Sequence, residues 1–410
     1  MPSIVQISIS QQSGAAPITL QGTGAFVSQG GTSLSSGSYS LLTGKSDLTP
    51  LLASPLALSS LTWSGGSVVA TTAAPIPGLV TGDTFPTTIA GAAPAGYNGL
   101  VLATVTGAST FTFPLASNPG TETVAGTYTP PGQGELVAMV QTFFGQGTSR
   151  GVYVLELGAG DGNTGPAALG AFETANPDFF YSYLVPRGWD AKAGYLALVA
   201  QFNSLSAKKY FFTTTTTGTY TAYPATDKCV LAAVEAPGIP LTEFSVATAF
   251  QKTLAYAPSS TNRMTPLAYS FLFGVTSYPT KNNSALLTTL DNANISFVQT
   301  GAEGGISNTI LSSGDTLDGK DFSYWYSVDW IQLNESQAIA NEIINGSNNS
   351  INPLWYDQPG IDRLQDRAFG VVKSAITFAL ATGTVTRSAL SATEFATALD
   401  NGDFDGQNVV

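Results

Sequence analysis

Histidine is absent from the 410 residues of this chain. Proton transfer at neutral pH, Ser-His-Asp triads and most zinc sites use histidine as their commonest component. Its absence therefore removes the largest classes of acid-base and zinc-dependent active site. We expect a protein that is not an enzyme, with no catalytic residue, no cofactor and no metal ion.

Charged residues are scarce as well, at 10% of the chain, against roughly a quarter in an average soluble protein. The outer surface is therefore either neutral and rich in hydroxyl groups or covered by other subunits, and composition leaves both alternatives open. The net charge of −12 disfavours nucleic acid and an anionic membrane as partners, because both are bound through lysine and arginine.

Cysteine and long apolar runs are also nearly missing. Cys229 is the single cysteine and lies in the apolar run CVLAAV, where we expect a small buried side chain and no disulfide within the chain. No run of about 18 apolar residues occurs, and no basic segment precedes an apolar one. We therefore expect neither a membrane span nor a signal peptide, and a protein that is made and kept in the cytoplasm.

The chain opens with an alternating segment, MPSIVQISIS, that predicts a β-strand with one buried face. Val5, Ile7 and Ile9 fall on one side of this strand. The candidate strand consists of six residues: Ile4, Val5, Gln6, Ile7, Ser8 and Ile9. A turn-prone stretch follows without a second strand nearby, so the segment must pair elsewhere in the chain or on another chain.

Two short motifs resemble chemical sites but lack the surrounding pattern. The segment from Gly147 to Gly151 matches G-x-S-x-G, yet a helical pattern precedes it and a strand pattern follows, which reverses the order of a nucleophile elbow. We interpret it as a helix-to-strand turn. Gly44-Lys45-Ser46 ends like a phosphate-binding loop, but Tyr39 occupies the position of the first glycine, so no phosphate cradle is expected.

Two other loops imitate binding sites. LELGAGDGNTG resembles a dinucleotide-binding loop, but the third glycine of that fingerprint would fall at Asn163, so we predict a loop that feeds a helix near Gly165-Pro166. The segment 401–406 imitates the start of a calcium loop whose final glutamate would lie beyond Val410. We interpret it as a solvated acidic turn.

The sequence pattern changes twice in the middle of the chain. From about Thr62 to Thr129, short apolar strands alternate with Gly, Pro and Asn turns, which predicts an all-β sandwich or barrel inserted into another fold. From Gly134 to about Ala381, helical patterns alternate with buried strands, as in a sheet covered by helices. We also expect YWYSVDWIQLNESQAIANEIIN to join an aromatic strand to a helix, and a last helix to be capped at Gly383.

The order of these segments resembles the tail sheath proteins of contractile-tailed bacteriophages of the myovirus type. ELVAMVQTFFGQGTSRGVYVLEL is similar to the sheath pattern of a helix, paired Phe, a Gly-rich turn and a strand. FSYWYSVDWIQLNESQAIANEIIN is similar to the segment that opens the family's C-terminal domain. TTAAPIPGLVTGDTFPTTIAGAAPAGYNG resembles an insertion common in phage virion proteins.

The resemblance implies an α+β multidomain chain with an α/β layered sheath core, an inserted β-module and extended N- and C-terminal arms. The predicted segments are an N-terminal strand arm (1–24), the start of the core domain (25–61), the β-module (62–130), an α/β core domain (131–320), a C-terminal core domain (321–383) and a C-terminal arm (384–410).

The resemblance also implies a function. Subunits would stack as hexameric rings around a tail tube protein, contact baseplate and tail terminator proteins, and contract to drive the tube through the host envelope during genome ejection. The location would be the virion tail, assembled in the host cytoplasm. Ile4 to Ile9 would add as a strand to a neighbour's sheet by β-augmentation.

The predicted C-terminal arm departs from the family pattern. Its short alternating segment consists of four residues: Thr384, Val385, Thr386 and Arg387. NGDFDGQNVV then ends on a polar turn and two valines, so either this strand is short or a longer relative has further residues. Two alternative functions stay open: a virion surface adhesin or decoration protein carried by the β-module, and a glycosidase using a carboxylate pair, although no acid pair is marked by local context.

Overall fold

The computed structural model describes residues 20–147, 151–279, 283–301, 308–355 and 357–383. These residues belong to two compact units. The larger contains the described residues of 20–256 and 266–325, and the smaller contains those of 257–265 and 326–383.

The first two strands of the larger unit belong to a sheet, and the next six form a closed barrel. The sheet strands are β1 (Gly24–Ser28) and β2 (Tyr39–Leu42). The barrel strands are β3 (Leu56–Ser64), β4 (Ser67–Thr72), β5 (Thr84–Ala90), β6 (Gly99–Gly107), β7 (Thr110–Pro114) and β8 (Thr127–Tyr128). All barrel pairs are antiparallel and close in the order β3-β4-β7-β6-β5-β8.

The barrel is filled by inward-facing apolar side chains. Phe111 lies at its centre, with its ring 5.6 Å from that of Phe85 and 5.4 Å from that of Tyr128. All three are at most 3% exposed. The alternation of buried and exposed residues along these strands is what the sequence shows from Thr62 onward, and the first barrel strand begins at Leu56. Closure leaves the barrel with no unpaired edge.

The chain returns from the barrel into alternating helices and strands. These are α1 (Gln133–Phe144), β9 (Val152–Glu156), α2 (Thr164–Ala175), β10 (Ser182–Leu184), α3 (Ala193–Phe202), β11 (Tyr210–Thr215), β12 (Val230–Val234), α4 (Val246–Leu254), β13 (Phe271–Leu272), α5 (Ser284–Asn292), β14 (Ser296–Gly301) and β15 (Asn308–Leu311). The described residues therefore form a mixed α/β body, as the alternation predicts.

The sheet runs in the order β13-β15-β14-β12-β11-β10-β1-β9-β2. The six strands from β14 to β9 are parallel to one another, whereas β2 at one end and β15 and β13 at the other are antiparallel to their neighbours. Parallel strands are buried on both faces, which explains the continuous apolar runs at Val152, Tyr210 and Val230.

Helices cover both faces of this sheet. Phe26 on β1 points to the face covered by α1 and α4, with its ring 5.2 Å from Phe143 and 5.8 Å from Phe250. Ala25 and Val27 point to the opposite face, in the cluster that also holds core residues of α2, α3 and α5. Alternate residues of this one strand therefore pack into two hydrophobic cores, one on each face of the sheet.

The last two helices are α6 (Phe322–Ser347) and α7 (Gln358–Thr377). The prediction of a strand followed by a helix in the α6 segment is wrong, since one helix covers it. Asp321 caps this helix by accepting a hydrogen bond from the backbone N–H of Ser323 at 2.8 Å. Phe322 then packs 5.0 Å from Tyr210, so the aromatic residues that suggest a strand begin a helix instead.

The predicted cap of the last helix is also wrong. The helix ends at Thr377, before Gly383, and Ala379 takes the left-handed conformation with φ 62°. The backbone N–H of Leu380 then bonds to the carbonyl of Ala375 at 2.8 Å. In the smaller unit, Glu342 on α6 joins the two helices through salt bridges to Arg363 and Arg367.

The loop before α6 carries an acidic group with a raised pKa. Burial, followed by the nearby charges of Asp321, Asp291 and Asp318, raises the pKa of Asp315 to about 6. The folded chain then holds a proton between pH 4 and pH 6 that the unfolded chain has released. Asp315 therefore contributes its full stabilisation of the fold below about pH 4, and this contribution is lost as the pH rises through 6.

Asp315→Asn is therefore expected to stabilise the fold above pH 6, by an amount on the order of 1 kcal/mol, and to flatten its pH dependence between 4 and 6. Thermal unfolding of both proteins across this pH range measures the effect. An unchanged pH slope in the variant would show that Asp315 does not hold the proton.

Candidate functional site

A cleft of about 570 Å³ lies where the carboxyl ends of the parallel strands meet the barrel. In open α/β sheets this is the place where ligands usually bind, so it is a candidate site. Its apolar wall includes Leu79, Leu102, Met139 and Ile239. Its charged side chains include Asp161, Arg187 and Glu235, which follow β9, β10 and β12. Glu135 on α1 also lines it, and the partners of these groups decide what the cleft can do.

Arg187, which follows β10, is the centre of the polar side. Its Nε donates to Glu235 Oε2 at 2.5 Å, and its Nη2 donates to Glu235 Oε1 at 2.9 Å and to the carbonyl of Glu243 at 2.6 Å. The guanidinium carbon lies 4.3 Å from the ring centre of Phe244, and Nη1 lies 3.6 Å from Glu135 Oε1. The charge is bound by α1, by the end of β12 and by the loop before α4, so it positions these elements.

Glu135 on α1 is the second carboxylate of this network. Burial raises its pKa, the charge and the backbone N–H of Arg187 oppose that rise, and the net direction is upward. Its Oε1 accepts the backbone N–H of Arg187 at 2.8 Å. Glu135, Arg187 and Glu235 thus hold one another within the protein.

A third buried carboxylate forms no salt bridge with any described residue. Glu156, at the end of β9, is 1% exposed and accepts hydrogen bonds from the Ser28 hydroxyl at 2.7 Å and the Thr32 hydroxyl at 2.8 Å. It also accepts from the backbone N–H groups of Gly30 and Gly158 at 2.6 and 2.8 Å. These bonds satisfy the carboxylate and fasten the loop after β1 to the loop after β9.

The space at the glycine-rich loop 158–162, where a ligand would bind, is occupied by other residues of this chain. Gly78 in the barrel has φ +74°, and a Cβ there would lie 2.2 Å from the backbone nitrogen of Gly160. Asp161 then takes the anion position at the start of α2, accepting from the N–H groups of Asn163 and Thr164 at 2.9 and 2.8 Å. Burial alone would raise the pKa of Asp161, but these hydrogen bonds outweigh that effect and lower the pKa. The loop feeds a helix, as predicted.

The loop at Gly44-Lys45-Ser46 is closed in the same way. Asp47 Oδ2 accepts hydrogen bonds from the Thr43 hydroxyl at 2.7 Å and from the backbone N–H groups of Thr43 and Gly44 at 2.8 and 3.1 Å. The Thr43 hydroxyl is the largest cause of the lowered pKa of Asp47. In both loops an aspartate of this chain occupies the place that a phosphate would take.

Among the described residues of the larger unit, seven of the twelve exposed large apolar side chains lie in three stripes. The β2 stripe consists of Tyr39 and Leu41, and the β6 stripe of Leu100 and Leu102. The β13 stripe consists of Tyr269, Phe271 and Phe273. Within β2 and within β6 the two members are two residues apart, which puts them on one side of the strand. Tyr269 and Phe273 flank the two-residue strand β13, and all seven side chains are at least 40% exposed. Contiguous exposed apolar side chains mark contact surfaces.

The predicted site residues, Ile4 to Ile9 and Thr384 to Arg387, lie outside the described residues, as do Thr148 to Arg150 and segment 401–406. Within the described ranges, no group of three or more His, Cys, Asp or Glu residues could hold a metal ion. No helix there is long and apolar enough to cross a membrane. The β2 stripe and the Arg187 network were missed, because neither has a local sequence motif.

Neither a family model nor a curated protein matches the chain. Among solved structures, it is similar to the crystal structure of the sheath tail protein Lin1278 from Listeria innocua. The TM-score is 0.45 at 9% sequence identity, and the likeness covers 88% of this chain and 86% of that one. A likeness of this strength carries no argument about function.

Proposed function

We propose that this chain is a structural subunit of a contractile tail sheath. Its copies stack as hexameric rings around a tail tube protein in a virion tail, after assembly in the host cytoplasm, and meet baseplate and tail terminator proteins at the two ends. N- and C-terminal arms link neighbouring copies. Contraction of the lattice drives the tube through the host envelope, and no bond chemistry takes part.

The observation that carries this proposal is the presence of apolar stripes on three separate strands. The β2, β6 and β13 stripes belong to two sheet edges and to the barrel. A closed dimer needs one such surface, whereas a subunit of a helical polymer contacts several neighbours through different surfaces. The low fraction of charged residues also fits a surface that other copies cover.

Burial of these stripes can supply the free energy of contraction. If contraction buries a further 40 to 80 Å² of apolar surface per subunit, the gain is about 1 to 2 kcal/mol. Summed over the many subunits of a tail, this is a large driving force. The salt bridges of Arg187, Lys209 and Glu342 lie within one chain, so sliding between copies need not break them.

The second candidate is a virion surface adhesin or decoration protein, in which the barrel carries the binding face. The β6 stripe favours it, because Leu100 and Leu102 give the barrel an apolar surface of its own. An adhesin would form a stable trimer or monomer, whereas a sheath subunit would polymerise.

Negative-stain microscopy of the purified full chain separates the two. We expect tubes of uniform width, or stacked rings, whose abundance rises with protein concentration. Compact trimers or monomers at every concentration would favour the adhesin and contradict the sheath proposal.

A further inference from the structure

The cleft between the barrel and the carboxyl ends of the sheet strands is rich in carboxylates. Five acidic side chains line it: Asp83, Glu135, Asp161, Asp190 and Glu235. The basic side chains among its described lining residues are Arg187 and Lys192, so five negative and two positive charges leave a net charge of −3 when all are ionised. A concave surface with this charge concentrates cations and repels anions.

Two of these carboxylates share one cation. The side chains of Glu135 and Glu235 are 13% and 7% exposed, and both form a salt bridge with Arg187. Glu235 takes the two-pronged contact, whereas Glu135 lies 3.6 Å from the guanidinium. Burial, with the charge of Glu235 in addition, raises the pKa of Glu135 against the opposing effect of Arg187. The network therefore has negative charge in excess, which a further cation would stabilise.

Two lining carboxylates each have one oxygen that accepts no hydrogen bond from a described residue. The bonds to Glu135 go to its Oε1, which leaves Oε2. Asp161 Oδ1 accepts from the backbone N–H groups of Asn163 and Thr164 and from the Thr164 hydroxyl, which leaves Oδ2. A carboxylate oxygen can only accept, so these two atoms suit a ligand that donates.

The rest of the cleft wall is largely apolar. Leu79 and Leu102 line it from the barrel, and Met139 and Ile239 line it from the α/β body. Its volume of about 570 Å³ is that of a small-molecule site. Apolar surface beside carboxylates suits a ligand whose methylene groups pack on the wall while its charged ends reach the acids. A metal ion fits less well, since no described group of three or more His, Cys, Asp or Glu residues could hold one.

We propose that this cleft binds an organic cation in which a short methylene chain joins two or more amino groups, that is, a linear diamine or polyamine. Its ammonium groups bind Glu135 and Asp161, and its methylene groups pack on Leu102 and Met139. Because Leu102 belongs to the barrel and the other three to the α/β body, the bound ligand holds the two together. The inference uses the cleft alone and does not depend on the proposed function.

Isothermal titration calorimetry of the full-length protein tests the ligand class with four probes that share a methylene chain. Cadaverine and spermidine carry two or more amino groups, pentylamine carries one, and pentanediol carries none. We expect saturable binding of cadaverine and spermidine at one site per chain. Pentylamine should bind at least about tenfold more weakly, because it loses one charge-assisted hydrogen bond, and pentanediol should not bind. Mg²⁺ at matched ionic strength controls for general screening of charge.

Two pairs of variants locate the site. Leu102→Lys puts an ammonium group on the cleft wall and should abolish cadaverine binding, because the variant supplies the cation itself. Leu100→Lys is the matched control, since Leu100 is exposed on the same side of β6 but does not line the cleft. Asp161→Asn keeps the Oδ1 that caps α2 and should weaken binding at least about tenfold. Asp366→Asn removes the same charge from an exposed position of α7 and should leave binding unchanged.

Circular dichroism verifies that each variant is folded, and the probe series on the wild type needs no variant. Loss of cadaverine binding in Leu102→Lys and Asp161→Asn, with binding retained in both controls, would support the assignment. The assignment would be overturned if neither cadaverine nor spermidine bound saturably to the wild type. It would also be overturned if pentanediol bound as well as cadaverine, or if all four variants bound cadaverine equally.

Discussion

Deletion of residues 1–12 is expected to abolish long assemblies while leaving the body of the protein folded. The described core begins at Leu20, so the deletion removes none of the hydrogen bonds or apolar contacts described above. It does remove the alternating segment that we expect to link one copy to the next. Electron microscopy and sedimentation velocity measure assembly, and circular dichroism with thermal unfolding measures the fold.

Point variants give the same test without changing the length of the chain. Ile7→Lys places a charge on the apolar side of the predicted strand and should reduce assembly nearly as much as the deletion. Ser8→Lys, on the polar side, is the matched control and should assemble nearly as wild type does. Tubes of normal length from the deleted chain would contradict the linking role of this segment.

Arg187→Ala is expected to destabilise the fold by about 3–5 kcal/mol, the usual cost of leaving partners of a buried ion pair without their counter-charge. The side chains of Glu235 and Glu135 are 7% and 13% exposed, so water replaces the guanidinium poorly. The variant also loses the stacking on Phe244 and the bond to the carbonyl of Glu243. Guanidinium unfolding followed by tryptophan fluorescence measures the loss.

Two further variants make this prediction specific. Arg187→Lys keeps the charge but loses the two-pronged contact with Glu235, so an intermediate loss is expected. Arg263→Ala removes an exposed arginine and should change the stability by less than about 0.5 kcal/mol. A similar small change in Arg187→Ala would show that the network does not hold the elements around the cleft together.

The alternation of apolar residues predicts much of this fold, because it records local geometry. Buried strands such as β11 and β12 and amphipathic helices such as α1 are visible from their own residues. The aromatic strand predicted at the start of YWYSVDWIQLNESQAIANEIIN is wrong because its aromatic content was given more weight than the helix cap at Asp321. A β-propensity is overridden when a cap and tertiary packing favour a helix.

The candidate sites depend on contacts between distant parts of the chain. Arg187 and Glu235 are 48 residues apart, and Ser28 and Glu156 are 128 residues apart, so no spacing rule brings them together. The strand YSLL is too short to show a period, and its place at the end of the sheet follows only from the pairing of β9. The absence of charged residues from YSLL was the only feature of its sequence that indicated a contact surface.

A helical reconstruction of the polymer formed by the pure full-length chain tests the central claim most directly. We expect stacked rings in which the first ten residues of each copy add as a strand to the sheet of a neighbouring copy. Small, monodisperse particles at high concentration would contradict the claim, as would a map in which the first residues of each copy fold back on their own molecule.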